Sequence, residues 1–344
     1  MAEKKKSAYA EAGVDIDVMM NSLKRIGRKV KATNTSGVVS ELGSFGGLFK
    51  SPGKESLLVS SVDGVGTKLK VANMAGKHNT VGQDLVNHCV NDILVQGARP
   101  LFFMDYLGAA ALEPKVFEQV ISGFCKACLE NGAALLGGET AEMPGLYPKG
   151  EYDLVGCIVG TVERKKLITG KKIRKGDVLI GLPSSGLHTN GYSLARKVIF
   201  EQAGKQLTDL VPGTRVSFEK ALLAVHKSYL NPMLKLMKSV DVHGMAHITG
   251  GGLYDNVPRV LPAKVDAVFD RTSWKVPPIF QFIQEAGAVD RDEMYRVFNM
   301  GIGLVVMVGR KDADIAMELL KKEKQSPVIV GEVVAGSGKS ILIH

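Results

Sequence analysis

The chain is short of several residue types and signatures, and each shortage narrows what it can be. Only four of its 344 residues are cysteine. Nothing in their spacing suggests a disulfide framework, which points to a reducing compartment. Cys125 and Cys128 form a C-x-x-C, but inside a helical pattern from Val116 to Asn131. No second pair completes a zinc site, so core packing is their expected role. Aromatic residues make up 6% of the chain, with a single Trp. The basic residues do not form one tract with aromatics between them. That argues against a nucleic-acid surface despite a formal charge of +9. The same charge suits small anionic substrates. No apolar run approaches membrane-spanning length. The opening Met-Ala-Glu-Lys-Lys-Lys has no apolar segment behind it, and Glu11, Asp15 and Asp17 speak against a transit peptide. A cytoplasmic protein with no membrane partner is the expectation.

Familiar catalytic signatures are missing too. There is no G-x-S-x-G elbow, no H-E-x-x-H and no dinucleotide fingerprint. Gly336-Ser-Gly338-Lys339-Ser340 looks like the end of a Walker A loop, but position 333 is Val333 instead of the glycine the pattern needs. Only four residues follow Ser340, too few for the helix that seats phosphates. If this protein uses ATP, it does so without a P-loop.

What is present is an ordinary globular composition, 45% apolar and 23% charged, in a chain long enough for two domains. Residues 1–55 read as an N-terminal segment and glycine-rich loop, with one amphipathic turn near Val18 to Ile26. The phrase Gly43-Ser-Phe-Gly46-Gly47-Leu-Phe49 could be a lid that orders on a ligand, or a plain linker. Strand and helix then alternate. Leu57 to Val62 is a strand, His78 to Gln96 a helix, Pro100 to Leu107 a strand and Pro114 to Asn131 a helix. Ala133 to Leu136 and Asp153 to Val162 are further strands. This is an α/β pattern. Basic residues crowd positions 164–175, which reads as a connection between a domain at 56–172 and another at 173–344. The second half restarts with a strand at Asp177 to Leu182. Helices follow at Gly191 to Gln202, Asn231 to Val240, Ile279 to Glu285 and Asp312 to Lys322. Strands are expected at Ala267 to Phe269, Gly303 to Val308, Val328 to Val334 and Ser340 to Ile343.

Four constellations carry candidate chemistry. In Ser61-Val-Asp63-Gly64-Val-Gly66-Thr67-Lys68 a buried strand delivers an acid at its end, then two glycines, a hydroxyl and an ammonium. Such a set suits a magnesium-bound polyphosphate, and a polar hairpin turn is the plain alternative. On the helix that follows, Asp84, His88 and Asp92 share one face, with Asn87 and Asn91 beside them. That stripe holds no Lys or Arg, unusual for a solvated face, and oxygen ligands of this kind hold hard cations. In Gly137-Gly138-Glu139-Thr140-Ala-Glu142 a strand is expected to end at the double glycine and present a carboxylate, as ligand sites in α/β sheets require. Asp63, Asp92 and Glu139 could then converge on a metal. Ser184-Ser185-Gly186-Leu-His188-Thr189-Asn190 makes a turn rich in donors, a possible anion seat with His188 placed for proton transfer. His247-Ile-Thr249-Gly250-Gly251-Gly252 could cradle a phosphate or ribose, or be a flexible turn.

Taken in order, these motifs resemble the aminoimidazole ribonucleotide synthetases, or phosphoribosylformylglycinamidine cyclo-ligases. The resemblance runs from Tyr9-Ala-Glu-Ala-Gly-Val-Asp-Ile16 to about Ile343. Its most specific phrases are Gly46-Gly-Leu-Phe49, Asp63-Gly-Val-Gly-Thr-Lys68, Asn91-Asp-Ile-Leu94, Gly137-Gly-Glu-Thr-Ala-Glu-Met-Pro144, Ser184-Ser-Gly-Leu-His188 and Phe298-Asn-Met-Gly-Ile-Gly303. It implies two mixed-sheet α/β domains per subunit, with N-terminal domains pairing into a shared β-barrel in a homodimer. It implies an ATP site of the kind found in thiamine monophosphate kinase and selenophosphate synthetase. The implied reaction is ATP-driven closure of formylglycinamidine ribonucleotide to aminoimidazole ribonucleotide, with ADP and phosphate released. On that basis ATP and Mg2+, with K+ open, are the expected cofactors. Asp63, Gly64, Gly66, Thr67, Lys68, Asn91, Gly138, Glu139 and Thr140 would hold the nucleotide, and Asp63, Asp92 and Glu139 the metal. Ser184, Ser185, Gly186, His188, Asn190, His247, Thr249, Gly250 and Gly251 would hold the substrate. His188, Lys68 and Asp92 are the expected catalytic groups. Selenophosphate synthetase is disfavoured because residues 36–54 lack a cysteine. A basic nucleic-acid-binding protein without turnover is the rival from another class.

Overall fold

The computed structural model describes residues 16–38 and 49–344. The Tyr9 phrase and the 39–48 part of the glycine-rich loop, with its expected lid role, lie outside the described residues. Two mixed sheets organise what is described. The first runs in the order β1-β4-β2-β3, with β1 Ser56–Gly64, β2 Arg99–Ala109, β3 Ala134–Glu142 and β4 Tyr152–Glu163. Only β2 and β3 are parallel. The second runs β10-β7-β9-β5-β8-β6. Its strands are β5 Val178–Pro183, β6 Val242–His247, β7 Val265–Asp270, β8 Ile302–Val308, β9 Val328–Ala335 and β10 Ser340–Ile343. The basic stretch lies between the two sheets in sequence.

Helices Asn79–Leu94 and Pro114–Asn131 cover one face of the first sheet. Their backbones touch because both carry a glycine at the crossing. A Cβ on Gly82 would sit 2.3 Å from Val120 O, and one on Gly123 2.3 Å from Asn79 O. Helix Ile16–Lys31, only a turn in the sequence reading, packs on Pro114–Asn131 through an Arg25–Glu118 ion pair and a Lys29–Ser122 hydrogen bond of 3.3 Å. Among the described residues no helix lies on the other face of the sheet. Leu58 and Val62 are each 62% exposed there, and Met104 38%. Cys125 and Cys128 are free and buried in the core.

Two departures from the sequence reading matter for the site, and one expectation about a loop is met by its contacts. The double glycine does not end β3, which continues to Glu142. Gly138 makes room instead, since a Cβ there would lie 2.4 Å from Asp105 Oδ1. The segment Val242–His247 is a strand buried at every residue, so it lacks the alternation that marks a half-buried strand. The Walker-like loop is closed on Asp266, whose Oδ1 accepts from Ser337 N at 2.7 Å and Lys339 N at 2.8 Å.

Candidate active site at the seam between the sheets

The helix Asn79–Leu94 is polar along one stripe and buried almost all round. Buried polar groups need partners, and here the partners lie on the second half of the chain. Asp84 Oδ1 accepts from His226 N at 2.6 Å. Asn87 Nδ2 donates to His226 O at 2.7 Å, and Asn91 Nδ2 to Lys227 O at 2.8 Å. Asn91 Oδ1 accepts from Tyr229 N at 2.9 Å. The stripe without Lys or Arg therefore satisfies the backbone of an irregular segment, Ala224 to Tyr229. That role was not foreseen from sequence.

Lys68 belongs to the same seam. Its side chain and that of Asp84 are both 0% exposed, with Nζ 2.8 Å from Asp84 Oδ2. Nζ also donates to Ala224 O at 2.8 Å and His188 O at 3.2 Å. Burial pushes the ammonium down and the carboxyl up, and the ion pair opposes both shifts. Lys68, expected to meet a triphosphate, is thus enclosed by three partners from both halves of the chain. The two sheets are also tied by Thr67 Oγ1 and Ser193 Oγ, 3.0 Å apart.

Beside this strut four histidines cluster. His88, His188, His226 and His247 are all buried. His188 stacks on His226 at 3.9 Å between centroids and 19° between planes. Its backbone is left-handed, with φ 60°. Its Nε2 accepts from Ser185 N at 3.2 Å, and its Nδ1 has no partner. Gly303 allows the ring its place, since a Cβ there would lie 2.6 Å from His188 Cε1. Burial first, then the neighbouring histidines and Lys68, holds His188 and His226 well below the usual imidazole range, which favours the neutral form of both rings.

Asp63 and Asp92 flank the cluster. His88 Nε2 lies 2.8 Å from Asp63 Oδ2 and 3.9 Å from Asp92 Oδ2. His247 Nδ1 lies 2.8 Å from Asp92 Oδ1, and Ser61 Oγ donates to Asp92 Oδ2 at 2.9 Å. Burial pushes Asp92 up, but the hydrogen bond from His247 and the nearby histidines bring it below the usual carboxylate range. Burial pushes His88 down, but Asp63 and Asp92 raise it overall. Both acids keep part of their surface open, 40% for the Asp63 side chain and 25% for Asp92. Partly open carboxylate oxygens beside a hydroxyl suit a hard cation such as Mg2+. The nitrogen-rich group His188, His226 and His247 has ligand atoms within 4.8 Å of one another. Its stacked rings direct their lone pairs in nearly parallel planes, which suits a shared ion poorly.

Glu139 does not join Asp63 and Asp92 within one chain. It pairs with Tyr106, one residue beyond the row that aligns Asp63, Gly156, Asp105 and Gly138 across the sheet. That offset turns it to the opposite face, on the opposite edge strand. Three strand spacings put the edges about 14 Å apart. Gly138 is exposed and Thr140 half-buried on the same strand. Gly64 and Gly66 stay beside Asp63, and Gly64 N donates to Asp63 Oδ1 at 2.7 Å.

The substrate-side turns are braced. Ser184 Oγ donates to Asn299 Oδ1 at 3.0 Å, and Asn299 Nδ2 to Gly186 O at 2.9 Å. Ser185 Oγ bonds Val225 O. Gly250 approaches Asn190, whose Oδ1 would lie 3.1 Å from a Cβ there. Asn256 Nδ2 donates to the carbonyls of Thr249, Gly250 and Gly252 at 3.3, 3.2 and 2.9 Å. The triple glycine is therefore a clamped loop, with Gly251 at φ 98°. His226 is the residue that sequence reasoning missed. It lies in no motif, and its only signal was the polar helix stripe that needed a partner.

Comparison with known proteins agrees in both halves. The model "AIR synthase related protein, N-terminal domain" matches residues 44–162, and "AIR synthase related protein, C-terminal domain" matches 174–344. A phosphoribosylformylglycinamidine cyclo-ligase of Alkaliphilus metalliredigens is 46% identical over 340 residues, covering 98% of each chain. One of Geotalea daltonii is 50% identical over 333 residues, covering 96% of each. Among solved structures, a thiamine-monophosphate kinase of Stenotrophomonas maltophilia aligns with TM-score 0.70 at 16% identity, over 93% of this chain and 95% of that one. The hydrogenase maturation protein HypE in complex with ATP aligns with TM-score 0.66 at 17% identity, over 93% and 90%. These two share the fold.

Proposed function

The chain belongs to the AIR synthase related family, and we propose that it is a cyclo-ligase, closing formylglycinamidine ribonucleotide to aminoimidazole ribonucleotide at the expense of ATP. The observation that carries this reading is identity of 46% and 50% to named cyclo-ligases over nearly the whole length of both chains.

The chemistry accounts for the residue types at the seam. An amide oxygen is a poor leaving group. Its phosphorylation makes an iminophosphate, which the amidine nitrogen of the same molecule can attack. Much of the rate of such a closure comes from orientation. Asp63 and Asp92 would hold Mg2+, which when bound neutralises charge on the nucleotide phosphates. Ser61 orients Asp92, and the Gly64–Thr67 turn offers backbone amides beside them. The clamped turns Ser184–Asn190 and Thr249–Gly251 are rigid frames for the substrate's ribose phosphate. His188, held well below the usual imidazole range by burial, has an unpartnered Nδ1 that can donate to a substrate amide. Lys68 acts as a strut that sets the distance between the sheets.

The uncovered face of the first sheet supports a homodimer. Leu58, Val62 and Met104 would otherwise stay in water. Glu139 lies on that face, so it would contribute to a nucleotide site only across the subunit boundary. No helix among the described residues is long and apolar enough to cross a membrane.

The test is ADP release with a panel of acceptors. Turnover requires formylglycinamidine ribonucleotide and Mg2+ together. Equal turnover with thiamine monophosphate or selenide in its place would overturn the assignment.

A further inference from the structure

The two acids are joined by an unbroken line of side chains through His226. Asp92 and Asp63 are carboxylates, so their oxygens accept. His247 must therefore present Nδ1–H to Asp92 across 2.8 Å, and His88 must present Nε2–H to Asp63 across 2.8 Å. A neutral His247 then has a bare Nε2, 3.0 Å from His226 Nε2. Two bare nitrogens at that distance repel, so His226 carries its proton on Nε2 and donates it. Its Nδ1 is left bare and faces the Thr189 hydroxyl across 3.3 Å. The same hydroxyl lies 2.7 Å from His88 Nδ1 and so links the two rings. Asn91 Nδ2, 3.3 Å from His226 Nε2, is engaged by Lys227 O at 2.8 Å.

The ring is also held from behind. Its peptide N–H is bound by Asp84 and its carbonyl by Asn87, both on the helix that carries His88 and Asp92. Its face lies on His188. The imidazole of His226 thus has its position set by one helix and uses both nitrogens on groups that orient the acids.

We propose that His226 is a positioning residue for the magnesium–nucleotide site, bracing Asp92 through His247 and Asp63 through Thr189 and His88. This rests on the reading of Asp63 and Asp92 as the acids of that site. Groups that orient the ligands of a metal typically change its affinity or the activity by about 10–100-fold when removed.

The test uses the full chain, with Mn2+ and ADP as the probe and electron paramagnetic resonance to count free Mn2+. His226→Phe keeps the ring size, the stack on His188 and the peptide clamps, and removes both nitrogens. It is expected to weaken Mn2+–ADP binding by about 10–100-fold. His226→Gln, which restores a donor and an acceptor, should recover most of that loss. Thr189→Val breaks the line at a second place with little change of shape, and covers the case of a His226→Phe protein that does not fold. The double variant should lose no more than the larger single loss, because both act through one line. A folded His226→Phe or Thr189→Val protein that binds within about threefold of the unmodified chain would overturn the proposal. Absence of Mn2+–ADP binding by the unmodified chain would instead overturn the reading of the acids on which it rests.

Discussion

Replacing Lys68 by Met separates two roles that the sequence left together. Lys68 could serve a phosphate, or it could hold the halves of the chain in place. Its Nζ meets Asp84 at 2.8 Å and two carbonyls of the second half, with both charged side chains fully enclosed. Removing the ammonium leaves Asp84 buried with the His226 N–H as its remaining donor. Loss of one partner of a buried pair costs about 3–5 kcal/mol. With an unfolding entropy of about 2.1 cal/mol/K per residue over 344 residues, 1 kcal/mol moves Tm by about 1.4 °C. Lys68→Met should therefore lower Tm by about 4–7 °C in a circular-dichroism melt. Lys68→Met with Asp84→Leu should regain much of the loss, because no lone charge stays buried. A Tm within about 1 °C of the unmodified protein, with a raised KM for ATP, would refute the strut and restore the phosphate role.

Asp105 is a half-buried carboxyl under the helices of the first sheet, and desolvation pushes it up to about 7. A carboxyl whose folded pKa lies above its unfolded value contributes stability at acid pH, and loses it as pH rises towards about 7. Asp105→Asn should thus raise Tm at pH 8 and leave it nearly unchanged at pH 4, with a gain of at most about 4 kcal/mol. An equal effect at both pH values would contradict this. Val62→Asp places a charge on the uncovered sheet face and should shift light-scattering mass from dimer to monomer, while a monomeric unmodified protein would remove the premise. Asp63→Asn and Glu139→Gln proteins, each inactive alone, should regain about one quarter of full activity after mixed refolding if the site spans two subunits. No recovery would place Glu139 outside the site.

The alternating strand and helix pattern made the first sheet and five of the six strands of the second legible, since apolar runs and the left-handed glycines Gly97 and Gly132 are local signals, whereas β6 is buried at every residue and shows no alternation. Asp63 and Asp92 stood out for the same reason, one at a strand end and one on a marked helix stripe, and the structure puts both beside His88. Glu139 misled because the double glycine looks like a stop, whereas Gly138 accommodates Asp105 in a continuing strand. Face selection depends on register, which a single strand does not reveal. The enclosure of Lys68 was not legible because burial is a tertiary property, and a lysine after two glycines reads locally as a phosphate ligand. His226 was invisible because its partners are 142 and 37 residues away in sequence, at Asp84 and Thr189.

The central claim is that ATP converts the formyl amide oxygen into a leaving group. Substrate labelled with 18O at that oxygen tests it in one turnover, with the phosphate examined by 31P nuclear magnetic resonance. The account predicts that the label appears in inorganic phosphate, one atom per ring closed. Label released as water, with unlabelled phosphate, would contradict it.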